Sequence, residues 1–439
     1  MTGLCRISRA LSFRPCLIVS SLAFSGLLMG PPAWAGESPH ELPIGDPERR
    51  DRQAPVVLDA VVDTRDGAVL DPAGLAARLA DTRLLLVGES HTSEEFHRVQ
   101  EMVLRELHRA GRRVLVGLEM MPTDVQPALD RWSADRLTET DFLDAADWYG
   151  NWGYAWEYYR AIFQLARRAR LPMLGLNVPR DLVSKVRTDG FESLEKADRN
   201  RLPPEIQEPD EAYARHFLSY FDDESGMHSL EGEMLEGFLR AQTAWDASMA
   251  WSAVQVLKGE EHQDPKTILV VLVGSGHVAY GYGIARQASP FLDGKIETLI
   301  PVPVSGDGEP IESVTASYAD YVWGVEEEHW TRFPSLGVSS RTGDDGVRTV
   351  LFVGEESPAA SLDLQAGDRI LSVDGVENPS ASDLRRAMGE KHWGDTVQLV
   401  WSRPGTDGAE DVRLEGTVYL RRSQEATKAD DKSAGETPG

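Results

Sequence analysis

Cysteine is nearly missing from this chain, with only Cys5 and Cys16 in 439 residues. Everything downstream of them is without disulfide or thiol chemistry, so packing alone must hold the fold. Basic residues are also scarce: 45 Lys and Arg against 71 Asp and Glu leave a net charge of −26. Such a surface repels nucleic acid and anionic membranes. The chain has neither a Gly-rich phosphate loop with its lysine nor a Gly-x-Ser-x-Gly elbow, so those two chemistries are set aside. Long apolar runs are lacking too. The stretch from about Cys16 to Met29 falls short of the roughly 20 apolar residues that span a bilayer. Arg6, Arg9 and Arg14 precede it and Ala33-Trp34-Ala35 follows it, the layout of a secretory signal peptide. Neither cysteine sits where a lipid acceptor would follow cleavage. The expectation is a soluble exported protein, periplasmic or secreted, with no integral membrane segment after signal cleavage.

What is present is enough for two or three packed domains, since 41 % of the residues are hydrophobic. Residues 36–54, rich in Pro, Glu, Asp and Arg, read as a flexible leader. From there short apolar runs alternate with helical patterns, which predicts a mostly parallel α/β sheet with flanking helices. Leu84–Val87, Val114–Leu118, Leu171–Val178 and Ile268–Val273 read as buried strands, and Ile296–Val302 as an edge strand. Asp71 is placed to cap a short helix. Ser93 or Thr92 is placed to cap another, whose Phe96, Val99, Val103 and Leu107 recur at helical spacing. Residues 180–262 look mostly helical, an insertion covering the strand ends.

Three of the strands end on reactive groups. The Leu84 run stops at Gly88 and is followed by Glu89 and His91; the Ile268 run stops at Gly274 and is followed by His277; the Val114 run ends on Glu119. Ligands of parallel sheets sit outside the carboxyl ends of strands. If the three are neighbours, His91, His277 and Glu119 converge. Two imidazoles and a carboxylate can hold Mn, Zn, Co or iron, and a metal so held can make a nucleophile of bound water. Glu89 is then the general base, with Glu119 the other catalytic carboxylate. The same edge can instead hold a haem against aromatic faces. His97 and Gln100, one helical turn apart, are candidates for a supporting layer or a further ligand pair. The crowd from Trp148 to Tyr159 reads as core or lid packing before it reads as a ligand cradle.

These residues carry a resemblance. Leu-Val-Gly-Glu-Ser-His91, His97-Arg-Val-Gln100, Leu-Glu119-Met120, Ala241-Gln-Thr-Ala-Trp-Asp246 and Val273-Gly-Ser-Gly-His277 together resemble the ChaN-like haem-binding family. That family lies in the superfamily of Tiki and TraB proteins and erythromycin esterase-like enzymes. The resemblance implies an α/β domain over 55–305, an envelope setting, and haem or an iron complex as ligand. Tiki relatives imply instead a metal-dependent hydrolase or peptidase on the same paired Gly-x-x-His motifs. After a linker over 306–332, residues 333–422 resemble a small β-rich PDZ domain of bacterial type. Ser357-Pro-Ala-Ala360, Gly367-Asp-Arg-Ile-Leu371 and Val373-Asp-Gly375 carry that likeness. It implies that Leu336, Gly337 and Val338 form the loop that receives the C-terminal carboxylate of a peptide partner. Residues 423–439 read as a disordered tail.

Overall fold

A computed structural model describes residues 38–220, 232–304, 311–328, 330–343, 345–354, 357–405 and 410–422. Residues 1–35, read as a signal peptide, and 423–439, read as a tail, lie outside the described residues. Strands of the first region are Gln53–Pro55 (β1), Val61–Asp63 (β2), Val69–Leu70 (β3), Thr82–Glu89 (β4), Arg113–Pro122 (β5), Met173–Asn177 (β6), Thr267–Gly274 (β7), Lys295–Pro303 (β8), Ser313–Thr315 (β9) and Tyr321–Val325 (β10). Eight of them form one sheet in the order β3-β2-β10-β8-β4-β7-β5-β6, and β1 pairs with β9 apart from it. From β10 to β6 neighbouring strands run parallel. Leu84–Val87 and Ile268–Val273 show no exposure at all, because helices cover both faces. Continuous apolar runs are what a parallel sheet buried on both sides demands.

One face packs on helices Glu94–Arg109 and Glu157–Ala169, the other on helix Gly232–Lys258. The 94–109 helix starts where it does because Ser93 Oγ accepts from the Phe96 N–H at 3.2 Å. Its Phe96, Val99, Val103 and Leu107 are all buried in the core, each stabilising by roughly 1.5–3 kcal/mol of apolar burial. It stops before Gly111, whose φ of +78° suits a residue without Cβ. Helices Arg180–Asp189, Lys196–Arg199, Glu211–Leu218 and the 232–258 helix occupy the span read as a helical insertion.

Three expectations fail here for a physical reason. Ile296–Val302 is not an edge strand: β10 and then β2 and β3 extend the sheet beyond β8. β10 lies in the span read as a linker, yet Tyr321-Val-Trp-Gly-Val325 is buried throughout. Five residues in a turn-rich setting are too few for periodicity to announce. Residues 36–54 are likewise not a free leader. Leu42 and Ile44 are buried at 0 % and 6 %, and the Leu42 N–H donates to the Tyr280 hydroxyl at 3.0 Å. Two apolar side chains in a polar segment sufficed to dock it.

The C-terminal region is a separate sheet of Val338–Thr342 (β11), Arg348–Val353 (β12), Arg369–Val373 (β13), Val376–Glu377 (β14), Thr396–Arg403 (β15) and Val412–Tyr419 (β16). The order is β11-β12-β13-β15-β16, with β14 on β13, and all pairs are antiparallel. Helix Ala381–Gly389 begins with a reciprocal capping box between Ser380 and Asp383. The fold is thus a mixed α/β core with flanking helices followed by a β-rich domain. Among the described residues no helix is long and apolar enough to cross a membrane.

Candidate functional site

Register brings the strand ends together. Glu89 closes β4 directly opposite Gly274, which closes β7, and β5 pairs with β7 up to Leu118, one residue before Glu119. Gly274 is needed for this closeness: a Cβ there would stand 3.1 Å from His91 Cε1 and 3.6 Å from Glu119 Oε2. Gly88 plays the same part underneath, where a Cβ would meet Ser275 Oγ at 2.8 Å. Ser275 itself donates to the Glu89 carbonyl at 3.2 Å and is spent on structure.

Glu89 is fully buried and acts as a hub. Its Oε1 takes the Tyr159 hydroxyl at 2.7 Å and faces His91 Nδ1 at 2.8 Å. Its Oε2 takes Gln100 Nε2 at 2.8 Å. His97 Nε2 lies 3.4 Å from Oε2, a contact of charge without hydrogen-bond geometry. Burial alone would raise the Glu89 pKa, but the His97 charge and the His91 bond outweigh it and hold the carboxyl ionised. For His91, burial lowers the pKa, and the Glu89 bond with the Glu119 and Glu89 charges more than reverses this.

His277 is held more tightly. Its Nδ1 lies 2.6 Å from Asp246 Oδ1, and its Nε2 lies 3.4 Å from Glu119 Oε1. Tyr213 donates to the other oxygen of Asp246 at 2.7 Å, and the Gly274 N–H donates to Glu119 Oε2 at 2.7 Å. Burial opposes the charged ring, yet Asp246 and Glu119 overcome it and push the His277 pKa up to about 10. His277 is therefore an imidazolium at neutral pH. His216, its Nε2 2.9 Å from the Gly276 carbonyl oxygen, is buried and drops to about 4, so it stays neutral.

The structure thus places His91, Glu89, Glu119, Gly88, Gly274 and His277 in one cluster, with Gln100 and His97 behind Glu89. Sequence reasoning passed over Asp246, Tyr159, Tyr213, Gln242 and His216 as site residues. The signal that could have found two of them is the i, i+4 spacing of Gln242 and Asp246, polar residues on a helix otherwise facing the core. Among the described residues no group of three His, Cys, Asp or Glu is arranged to hold a metal ion. The physical reason is that each carboxylate is already occupied by imidazole, phenol, amide or backbone N–H groups.

Two cavities meet at this cluster. One, of about 500 Å³, is lined by His216, Tyr220, Ser275 and Tyr318; the other, of about 850 Å³, by Trp152, Asn177, Phe238 and Trp245. His91, Tyr154, Phe217, Gln242 and His277 border both. The His91 ring packs against Trp152 at 4.9 Å and Tyr154 at 4.8 Å between centroids. The remaining aromatics of the 148–159 stretch, Trp148, Tyr149, Trp156, Tyr158 and Tyr159, are buried core.

Residues 75–287 match the family model described as haem-binding uptake, Tiki superfamily, ChaN, and residues 334–414 match the PDZ domain model. Among solved structures the chain is similar to ChaN of Campylobacter jejuni with cofacially bound haem. Identity is 18 %, covering 61 % of this chain and 98 % of that one, with a TM-score of 0.46. A mutant erythromycin esterase, EreC, in its open conformation is 11 % identical over 60 % of this chain and 82 % of its own, with a TM-score of 0.33. The HtrA-type protease AlgW with a decapeptide is 28 % identical over 22 % of this chain and 31 % of its own, with a TM-score of 0.17. No curated protein matches.

Proposed function

Because the chain carries a ChaN-like domain of the Tiki superfamily at 75–287 and a PDZ domain at 334–414, we propose that it binds haem or an iron complex at the strand ends and a peptide at its C-terminal domain. The observation that carries the reading is the asymmetry of the two imidazoles. With Nδ1 held by Glu89, His91 turns its Nε2 to the two cavities, and an iron there displaces the proton that Glu89 and Glu119 favour on the ring, the arrangement of a histidine oriented to ligate. His277, cationic between Asp246 and Glu119, has no lone pair to give. Its charge suits an acidic group of the ligand instead. Trp152, Tyr154 and Phe217 offer faces for a planar macrocycle. A haem bound here would be held through its iron by His91 and would supply the redox chemistry of that iron. Gln100 and His97 support Glu89 and do not reach the ligand.

Hemin titration of the purified protein tests this. A saturable, shifted Soret band that His91→Ala weakens at least tenfold is expected; no band, or one indifferent to His91, removes the reading. Export is part of the proposal, supported by the basic, apolar and small-residue layout of residues 1–35. The exported form should have the intact mass of a chain beginning at Gly36.

A second reading, hydrolysis, is favoured by the Glu89–His91 pair itself. Glu89 has both oxygens engaged and orients His91, so the imidazole and not the carboxylate is the base toward water. The His277 cation then faces the developing negative charge. Metal analysis of protein purified without added metal, beside ester and peptide turnover, separates the two. Stoichiometric Mn, Zn or Co, or turnover lost in His91→Ala without hemin affinity, favours the hydrolase.

A further inference from the structure

The C-terminal domain leans on the site through one short piece of chain. Helix Trp148–Asn151 and the turn after it carry Trp152 and Tyr154, the rings that cover His91. The other side of that piece is held by the 381–389 helix. Arg385 Nη1 donates to the Tyr149 carbonyl at 3.2 Å and the Gly150 carbonyl at 3.3 Å. Arg386 lies over the Tyr149 ring at 5.5 Å and pairs with Asp144 at 3.2 Å. Gly389 lets the Tyr149 ring approach, since a Cβ there would collide with it.

The charges at this junction are unusual for so acidic a chain. Among the described residues Arg385 bonds only these carbonyls, and the buried Arg348 bonds only Ser340 and Thr342 oxygens. Burial disfavours both guanidinium charges, and for Arg385 the nearby Arg180 and Arg348 add to it. Asp147 offsets only part of this for Arg385; a partly buried cation with no ion pair in contact is costly, and an arriving carboxylate offsets that cost. β11, beside them, is an edge strand with Ser339, Arg341 and Thr342 exposed, open to an added strand.

We propose that the groove between β11 and the 381–389 helix takes the C-terminal segment of an acidic partner polypeptide, and that docking draws Arg385 off Tyr149 and Gly150 and opens the aromatic cover of His91. This rests on the peptide-binding reading of the C-terminal domain and is independent of haem. A carboxylate wins the exchange because it meets the guanidinium with a full opposite charge and two acceptor oxygens, where each carbonyl offers only a dipole. Without Arg385 the 148–154 piece keeps its ring contacts and those of Arg386 but loses the two bonds on its Tyr149 and Gly150 carbonyls, so peptide and site ligand become coupled, typically by about 5- to 150-fold.

Hydrogen exchange on the full chain, with and without peptide, tests this. The probes are decapeptides with a free apolar C-terminal residue and Asp or Glu before it, their Lys-substituted counterparts, and C-terminal amides. The acidic free acids should bind at least tenfold tighter than the Lys peptides and speed exchange at 148–154. Arg385→Gln should show the faster exchange unprompted and gain nothing from peptide. Equal binding of acidic and Lys peptides, no binding, or saturation of the wild-type chain with unchanged exchange at 148–154 overturns the proposal. A chain that shows the exchange effect but takes no hemin keeps this proposal and loses the haem reading.

Discussion

Tyr159 donates its hydroxyl to the same Glu89 oxygen that holds His91, at 2.7 Å and 2.8 Å. The orientation of the half-buried imidazole is thus set by a phenol buried in the core. Tyr159→Phe removes one bond to a buried carboxylate without opening a cavity, at a cost of about 1.5–3 kcal/mol. Urea unfolding should show that loss, and hemin affinity should fall with it because Glu89 no longer fixes the His91 ring. Unchanged affinity would mean that Gln100 alone suffices to hold Glu89.

His277 makes stability depend on pH in a stated direction. Its folded pKa, about 10, lies above the ordinary 6.5 because Asp246 and Glu119 surround it. A group so raised contributes stability in full below pH 6.5, and the contribution is lost as pH rises through 10. Comparing urea midpoints of the wild type and His277→Gln at pH 6 and pH 10 isolates it. The gap between the two proteins should be widest at pH 6 and close toward pH 10; a gap that widens with pH would show that the ring is held neutral.

Gly274→Ala separates fold from site. The added Cβ would come 3.1 Å from His91 Cε1, tight enough to displace the ring but leaving the β4–β7 pairing untouched. Thermal stability should fall by only about 1 kcal/mol, the usual cost of a point substitution, while hemin binding weakens at least tenfold. Loss of both together would mean that the strand cannot bear the methyl group.

The strand ends were readable because a parallel sheet forces its reactive residues to one side. A run of four or six apolar residues, a glycine and a histidine locate themselves without help. What the helices bring could not be read in the same way. Asp246 and Tyr159 reach the site from helices whose depth over the sheet depends on tertiary packing, and their polar groups look like ordinary surface residues in a linear pattern. β10 was missed because five buried residues followed by acidic ones resemble a linker. Leu42 and Ile44 were missed because a docked strap owes its order to Tyr280 and its neighbours, not to its own composition.

Glu328 ties the segment before the C-terminal domain to the helix that follows His91. Its carboxylate accepts from Ser93 Oγ, from the Glu94 N–H at 3.0 Å and from the Glu95 N–H at 3.4 Å. It therefore supplements Ser93 as the cap of that helix, where a negative charge also meets the helix dipole. Glu328→Gln should lower stability by about 0.5–2 kcal/mol and speed exchange at 93–96, with less change at 104–109. Equal exchange in both stretches would show that Ser93 alone caps the helix.

The last prediction concerns Gly337, which has φ +72° and lies so close to Ser357 that a Cβ would overlap that side chain. The loop it forms is closed by the Gly354 N–H on the Gly337 carbonyl at 2.9 Å and the Ala359 N–H on the Leu336 carbonyl at 3.1 Å. Those bonds turn the carbonyls inward, and under the proposed peptide binding the turn leaves N–H groups between Leu336 and Val338 for a peptide carboxylate. Gly337→Ala must accept the left-handed conformation, at about 1–2 kcal/mol, and must push Ser357 away as well. In the full chain, the unfolding transition of the C-terminal domain should fall while hemin titration stays as in the wild type. Peptides with a free carboxylate should lose at least tenfold in affinity by fluorescence anisotropy, and amidated peptides should bind no worse than before. If free acids and amides bind the wild type equally well, the loop does not receive a carboxylate, whatever Gly337→Ala does to stability.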